Sequence, residues 1–148
     1  MSFRIVRRSE AQWQGTDTDG GGRIALGSGA FDGPYTLKAR ISDVERSTNP
    51  EELIAAAEAG CYTMSLANRL TTEGHPPTDL KTTASVRLEQ IGEGRFGITR
   101  IELETVGEVP GVTAEQFAQM AQEAKETCPV SRALAGTEIT VNARLEGG

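Results

Sequence analysis

Two cysteines carry the most reactive side chains in this sequence, and each has a distinctive setting. Cys61 lies inside a helical run rich in small residues, Pro50-Glu51-Glu52-Leu53-Ile54-Ala55-Ala56-Ala57-Glu58-Ala59-Gly60-Cys61. Cys128 opens Cys128-Pro129-Val130-Ser131-Arg132-Ala133-Leu134. Two thiols brought together can run a cycle that one cannot: the first is oxidised to a sulfenic acid, and the second condenses with it to a disulfide. A thiol at a helix N-terminus is acidified by the helix dipole, and Cys128, just before Pro129, has that setting. Cys61, in mid-helix, needs a nearby cation instead. These residues alone leave open which sulfur attacks and which resolves. Free cysteine is also among the most buried residue types, so plain space-filling is the competing reading of each.

Other chemistries fit poorly. The two cysteines have 66 residues between them, and the single His75 precedes Pro76-Pro77 in a turn, so no metal-ligand spacing exists. The same position of His75 argues against a cysteine hydrolase. Gly20-Gly21-Gly22 has no helix after it, which argues against a phosphate loop.

The elements that must position the thiols follow from periodicity and punctuation. Phe3–Arg8, Arg23–Gly27 and Tyr35–Ile41 alternate and read as strands. Asp17–Gly22 and Gly33-Pro34 read as turns between them. A helix is expected from Pro50 to Thr72. Asn49 is its N-cap, Pro50 suits its first position, and Glu52 completes a capping box. Leu53, Ala57, Gly60, Cys61, Met64 and Ala67 form its expected apolar face, and Glu73-Gly74-His75-Pro76-Pro77 ends it. Strands at 80–90 and 96–106 follow, joined by Gly92-Glu93-Gly94, with a slip in the alternation that marks a bulge. Thr113 caps a second helix with Phe117, Met120, Ala121 and Ala124 inward. Pro129 breaks that helix at Cys128 and starts a short one to Leu134. Glu138–Leu145 is the last strand. The pattern is α+β in a single domain, residues 1–148, with a largely antiparallel sheet and the helices on one face.

At 148 residues the chain is long enough for a substantial core. Its net charge of -6 repels phosphate backbones, so nucleic acid is not an expected partner. No apolar run has the length of a signal peptide or of a bilayer span, so a cytoplasmic protein with no membrane association is expected. In a reducing compartment, a cysteine pair is read as catalytic or redox-sensing rather than as a standing staple.

Asn49-Pro50-Glu51-Glu52-Leu53, Ala56-Ala57, Cys61 and Cys128-Pro129-Val130-Ser131 together resemble the OsmC/Ohr family of thiol-dependent hydroperoxide reductases. Ala11-Gln12-Trp13-Gln14-Gly15 and Pro34-Tyr35-Thr36 resemble it as well, and Val130 favours the osmotically inducible OsmC branch. The resemblance covers nearly the whole chain. It implies an OsmC-like fold, with a long central helix carrying Cys61 and a second helical region carrying Cys128, in an intertwined homodimer. It implies a peroxidase that acts on organic hydroperoxides and, more weakly, on hydrogen peroxide. Cys61 would be the attacking thiol and Cys128 the resolving one, with Arg40 and Glu51 completing the site. No bound cofactor is implied. The expected reductant is an external dithiol of lipoyl type. The alternative is a non-enzymatic stress or ligand-binding module with inert, buried cysteines.

The chemistry sets demands on geometry. A free thiol has a pKa near 8.5, so only a few per cent of it is thiolate at neutral pH. Arg40 would stabilise the thiolate and polarise the leaving oxygen, and Glu51 would hold the guanidinium in a bidentate pair. Glu51 and Cys61 are ten residues apart on one expected helix, about 15 Å along its axis. A single site using both therefore takes the glutamate from a second copy of the chain. Leu53, Met64 and Phe117 are candidates to line a pocket for an alkyl or aryl hydroperoxide, with plain core packing the favoured reading of any one of them.

Overall fold

The α+β pattern is present in the computed structural model, which describes residues 2–147. In chain order the elements are β1 (Ser9–Gln14), β2 (Gly21–Leu26), β3 (Asp32–Tyr35), α1 (Leu37–Ile41), α2 (Pro50–Thr72), β4 (Asp79–Gly92), β5 (Arg95–Glu108), α3 (Ala114–Thr127), α4 (Pro129–Ala133) and β6 (Glu138–Leu145). The chain divides after Leu53 into two compact units, each with its own three-stranded sheet.

In the first unit, β1, β2 and β3 form an antiparallel meander. Trp13, Gly22 and Tyr35 stand in one row across it. The two rings meet edge to face over the glycine, with centroids 5.4 Å apart. A Cβ on Gly22 would lie 2.4 Å from the Tyr35 ring and 2.7 Å from the Trp13 ring, so only glycine admits this contact. Gly21 and Gly22 therefore belong to β2 rather than to the expected turn. Gly33-Pro34 likewise lies inside β3.

Two expected strands of this unit are corrected. Residues 3–8 are not a strand, and Phe3, Ile5 and Val6 are 84%, 52% and 58% exposed. The ladder with β2 begins at Ser9, opposite Leu26; beyond it the Arg8 carbonyl accepts from the Gly27 N–H at 2.9 Å, and among the described residues the alternating residues before Arg8 are in no strand ladder. Tyr35–Ile41 also splits: Tyr35 closes β3, and Leu37–Ile41 is the short helix α1. The Thr36 hydroxyl caps α1 by accepting from the Ala39 N–H at 3.0 Å. Leu37, Lys38, Ala39 and Arg40 have good helix propensity, which here overrides their period-two alternation. Arg40 thus stands on a helix.

In the second unit, α2 runs unbroken to Thr72 and ends in a Schellman motif. The His75 N–H donates to the Leu70 carbonyl and the Gly74 N–H to that of Thr71, with Gly74 at φ 88°. Its buried face differs from the one expected. Glu58, Tyr62, Leu66 and Leu70 are fully buried, whereas Met64 is 74% exposed. β4 and β5 form the expected hairpin with Gly94 at φ 67° in its turn. The slip in alternation is a bulge: Arg87 faces Arg100 and Leu88 faces Ile98, leaving Thr99 as the extra residue. β6 pairs with β5 in parallel, because α3 and α4 carry the chain back between them. Thr113 caps α3 in a full capping box with Gln116.

One hydrophobic core fills this unit: Tyr62, Leu66 and Leu70 from α2, Leu103 and Val109, Phe117, Ala121 and Ala124 from α3, and Cys128. The buried Tyr62 hydroxyl donates to the Ala121 carbonyl at 2.6 Å, tying α2 to α3. Burial raises the Tyr62 phenol, and the neighbouring Cys128 raises it further. The folded chain therefore holds that proton more tightly than the unfolded one. Stability is complete below the ordinary tyrosine value of about 10 and falls as pH rises beyond it. Tyr62→Phe is expected to cost about 1 kcal/mol at neutral pH and to flatten the alkaline loss, both read as urea midpoints against pH.

Candidate active site

The long-range contact of interest joins α2 to the α3–α4 junction. Cys61 is half-buried on α2, and Cys128 is fully buried at the junction. Both are free thiols, and their side chains are within hydrogen-bonding reach of each other. Sequence reasoning brought these two together, and the fold does so.

Local structure explains the placement of Cys128. Pro129 lacks the N–H needed to continue α3, so Cys128 takes an extended conformation (φ -76°, ψ 115°) and is at once the C-cap of α3 and the N-cap of α4. Its sulfur accepts from the Ser131 N–H at 3.4 Å. The residue before Ser131, Val130, has its backbone N–H within hydrogen-bonding reach of the Cys61 sulfur. One short turn of chain thus contacts both thiols.

Burial raises the pKa of the Cys61 thiol; the Val130 N–H lowers it, and the Cys128 thiol and the Glu58 carboxylate raise it again. Among the described residues, no cation is one of these influences. Within its own unit, then, Cys61 is held as the thiol.

Arg40 and Glu51 form their own pair in the first unit. Arg40 Nε and Nη2 each donate to Glu51, both at 2.8 Å, in the bidentate geometry expected from the sequence. The Glu51 side chain is 10% exposed and that of Arg40 41%. The hydrogen bond to Glu51 raises the guanidinium pKa further. Asn49 assembles this pair. Its Oδ1 accepts from the Glu52 N–H at 2.8 Å to start α2, and its Nδ2 donates to the Ala39 carbonyl at 3.0 Å to hold α1. The capping box is only half made, because the Glu52 carboxylate accepts from the Thr48 hydroxyl at 2.8 Å.

Two residues near the thiols escaped sequence reasoning. Glu58 is fully buried and accepts a hydrogen bond from the Ser131 hydroxyl. Its other oxygen, Oε2, has no hydrogen-bond partner among the described residues. The available signal was a lone acid in the small apolar run before Cys61, one helical turn away. Of the candidate pocket residues, Phe117 is buried core, the favoured reading, and Met64 is exposed. Among the described residues, no cluster of three His, Cys, Asp or Glu side chains is arranged to hold a metal. No helix there is long and apolar enough to cross a membrane.

The profile of the family described as OsmC-like protein matches residues 43–144. The chain belongs to the OsmC family. It is 40% identical to the peroxiredoxin OsmC of Escherichia coli (strain K12) over 143 residues, 96% of this chain and 98% of that one. It is 33% identical to the organic hydroperoxide resistance protein OhrA of Bacillus subtilis (strain 168) over 100 residues, 66% of this chain and 67% of that one. A solved organic hydroperoxide resistance protein from Elizabethkingia anophelis superimposes with a TM-score of 0.73 at 24% identity, covering 99% of this chain and 100% of that one. The OsmC fold expected from the sequence is thus borne out. So is the OsmC branch favoured by Val130, since the match to the OsmC protein is both closer and longer than that to OhrA.

Proposed function

We propose that this OsmC-family chain is a cysteine-based peroxidase that reduces organic hydroperoxides, and more weakly hydrogen peroxide, to alcohol or water. The observation that carries the reading is the meeting of two free thiols from distant parts of the chain. The curated relatives named as a peroxiredoxin and as a hydroperoxide resistance protein support it.

In the proposed cycle the Cys61 thiolate attacks the O–O bond, because Cys61 is the less buried thiol. An alcohol leaves and Cys61 becomes a sulfenic acid. Cys128 condenses with it, releasing water and closing a disulfide. An external dithiol of lipoyl type reopens the disulfide by exchange. We place this cycle in the cytoplasm, where reduced dithiols are maintained.

The first step needs a thiolate, and the groups around Cys61 mostly favour the thiol. The missing cation is assigned to Arg40, presented by Glu51. Ten residues along α2 separate Glu51 from Cys61, about 15 Å, so the pair is assigned to the partner in a homodimer with two composite sites.

The test is consumption of cumene hydroperoxide with dihydrolipoamide, combined with dimedone trapping during the first turnover. Steady consumption, one trapped sulfenic acid per chain and a Cys61–Cys128 crosslink in the oxidised protein are expected. Neither consumption nor trapping would leave a pair of inert, buried thiols.

A further inference from the structure

Glu58 calls for a physical reason. A buried carboxylate without a cation is costly, and its charge works against forming the Cys61 thiolate. Nothing in the first step of the proposed cycle uses it. Yet it stands in a closed ring of contacts. Glu58 lies one turn before Cys61 on α2, Cys61 lies against Cys128, the Cys128 sulfur accepts from the Ser131 N–H, and the Ser131 hydroxyl donates back to Glu58. Among the described residues Glu58 Oε2 is buried with no hydrogen-bond partner, so its lone pairs are uncommitted and can take a proton.

The geometry points to Glu58, positioned by Ser131, as the proton shuttle of the resolving step, an inference that rests on the peroxidase cycle proposed above. Disulfide closure is a dehydration. The Cys128 thiol gives its proton to Glu58, and its sulfur attacks the Cys61 sulfur. The S–O bond breaks, and the departing hydroxide takes the proton back from Glu58 as water. The carboxylate is regenerated, and no oxidant or reductant is consumed. A burdened first step is thereby exchanged for a faster second one, which shortens the exposure of the sulfenic acid to over-oxidation.

The titratable groups placed around Glu58 are Cys61, one turn on along α2, and, through Ser131, Cys128 at the α3–α4 junction; Tyr62 follows Cys61 on the same helix. Tyr62 is held as the neutral phenol, its hydroxyl committed to Ala121. Ser131 also borders an open pocket of about 240 Å³ lined by Lys125, Glu126 and Arg132. The pH test below is therefore read as a difference between variants, which these common neighbours leave in place.

The test is a single turnover of the reduced, full-length protein with one equivalent of cumene hydroperoxide. Dimedone trapping follows the sulfenic acid, and quenched mass spectrometry follows the disulfide. Glu58→Gln keeps the size and the acceptor for Ser131 but cannot shuttle a proton. The sulfenic acid is expected to form at least as fast as in the wild type and to close on the order of 100-fold more slowly. Closure in the variant should also rise more steeply with pH, because the thiol must then lose its proton to solvent. A purely structural role for Glu58 would not change that slope. Closure within twofold of wild type, with the same slope, overturns the inference.

Should Glu58→Gln fail to fold, Ser131→Ala carries the test. It removes only the hydroxyl that holds the carboxylate, and closure slowed about tenfold supports the shuttle, whereas closure within twofold of wild type overturns it. The two levels of argument fail differently. No sulfenic acid in the wild type removes the peroxidase reading and the shuttle with it. Sulfenic acid that closes normally in the variants removes the shuttle alone.

Discussion

Replacing Cys61 with serine is expected to reduce hydroperoxide consumption to the uncatalysed background, a loss of roughly 10⁴-fold or more, the scale seen when a nucleophile is removed. A serine hydroxyl in the same position is almost never ionised at neutral pH and is a far weaker nucleophile than a thiolate. The fold should tolerate the change, because Cys61 is only half-buried. Cys128→Ser is expected to behave differently. It should consume one equivalent of peroxide per chain in a burst, hold the sulfenic acid for dimedone to trap, and then turn over poorly. The two roles rest on accessibility. A peroxide reaches the half-buried Cys61 before the fully buried Cys128, so the buried sulfur suits an internal reaction. The opposite pattern, a burst in Cys61→Ser and none in Cys128→Ser, would exchange the roles. Substantial turnover in both variants would move the chemistry off the cysteines.

Much of the arrangement around these thiols was legible in the sequence, for identifiable reasons. Asn49-Pro50 at one end of α2 and Gly74-His75-Pro76 at the other bracket the helix with strong local signals, and its range is as expected. Pro129 marks the break that puts Cys128 between two helices. The bulge at Thr99 appears as a slip in alternation. What failed was local pattern without tertiary context. Tyr35–Ile41 alternates as a strand does, but the Thr36 cap and the hydrogen bond from Asn49 to Ala39 stabilise a helix there. Phe3–Arg8 alternates as well, but the ladder with β2 begins at Ser9. The buried face of α2 runs through Glu58, Tyr62, Leu66 and Leu70, one position round from the small-residue stripe whose helical spacing suggested it, so Met64 on that stripe is exposed and the acid Glu58 is buried. A buried carboxylate is a tertiary fact. Its Ser131 partner lies 73 residues away, and no local pattern in either segment announces the pair.

The proposed composite site makes the sharpest demand on the assembly. Arg40→Ala alone is expected to lower the peroxide step by about 10²- to 10³-fold, the range for removing a preorganised charge-stabilising donor. With the guanidinium gone, burial and the neighbouring Cys128 and Glu58 keep the proton on Cys61, so the residual activity should climb with pH through the thiol range. Arg40→Ala and Cys61→Ser are then each nearly inactive as pure proteins. Co-expressed with different tags and purified as a mixed dimer, they give opposite outcomes for the two possible geometries. If Arg40 and Glu51 serve the partner's sulfur, one site in the mixed dimer joins an intact Cys61 to an intact Arg40, and the other lacks both. By symmetry that dimer should recover about half of the wild-type rate. If each chain served its own sulfur, one site would lack the nucleophile and the other the cation, and the mixed dimer would be no more active than Arg40→Ala. Recovery near half would place the cation across a subunit boundary, as proposed from the ten-residue offset on α2. No recovery would return Arg40 to its own chain and leave Glu51 with a structural role at the start of the helix.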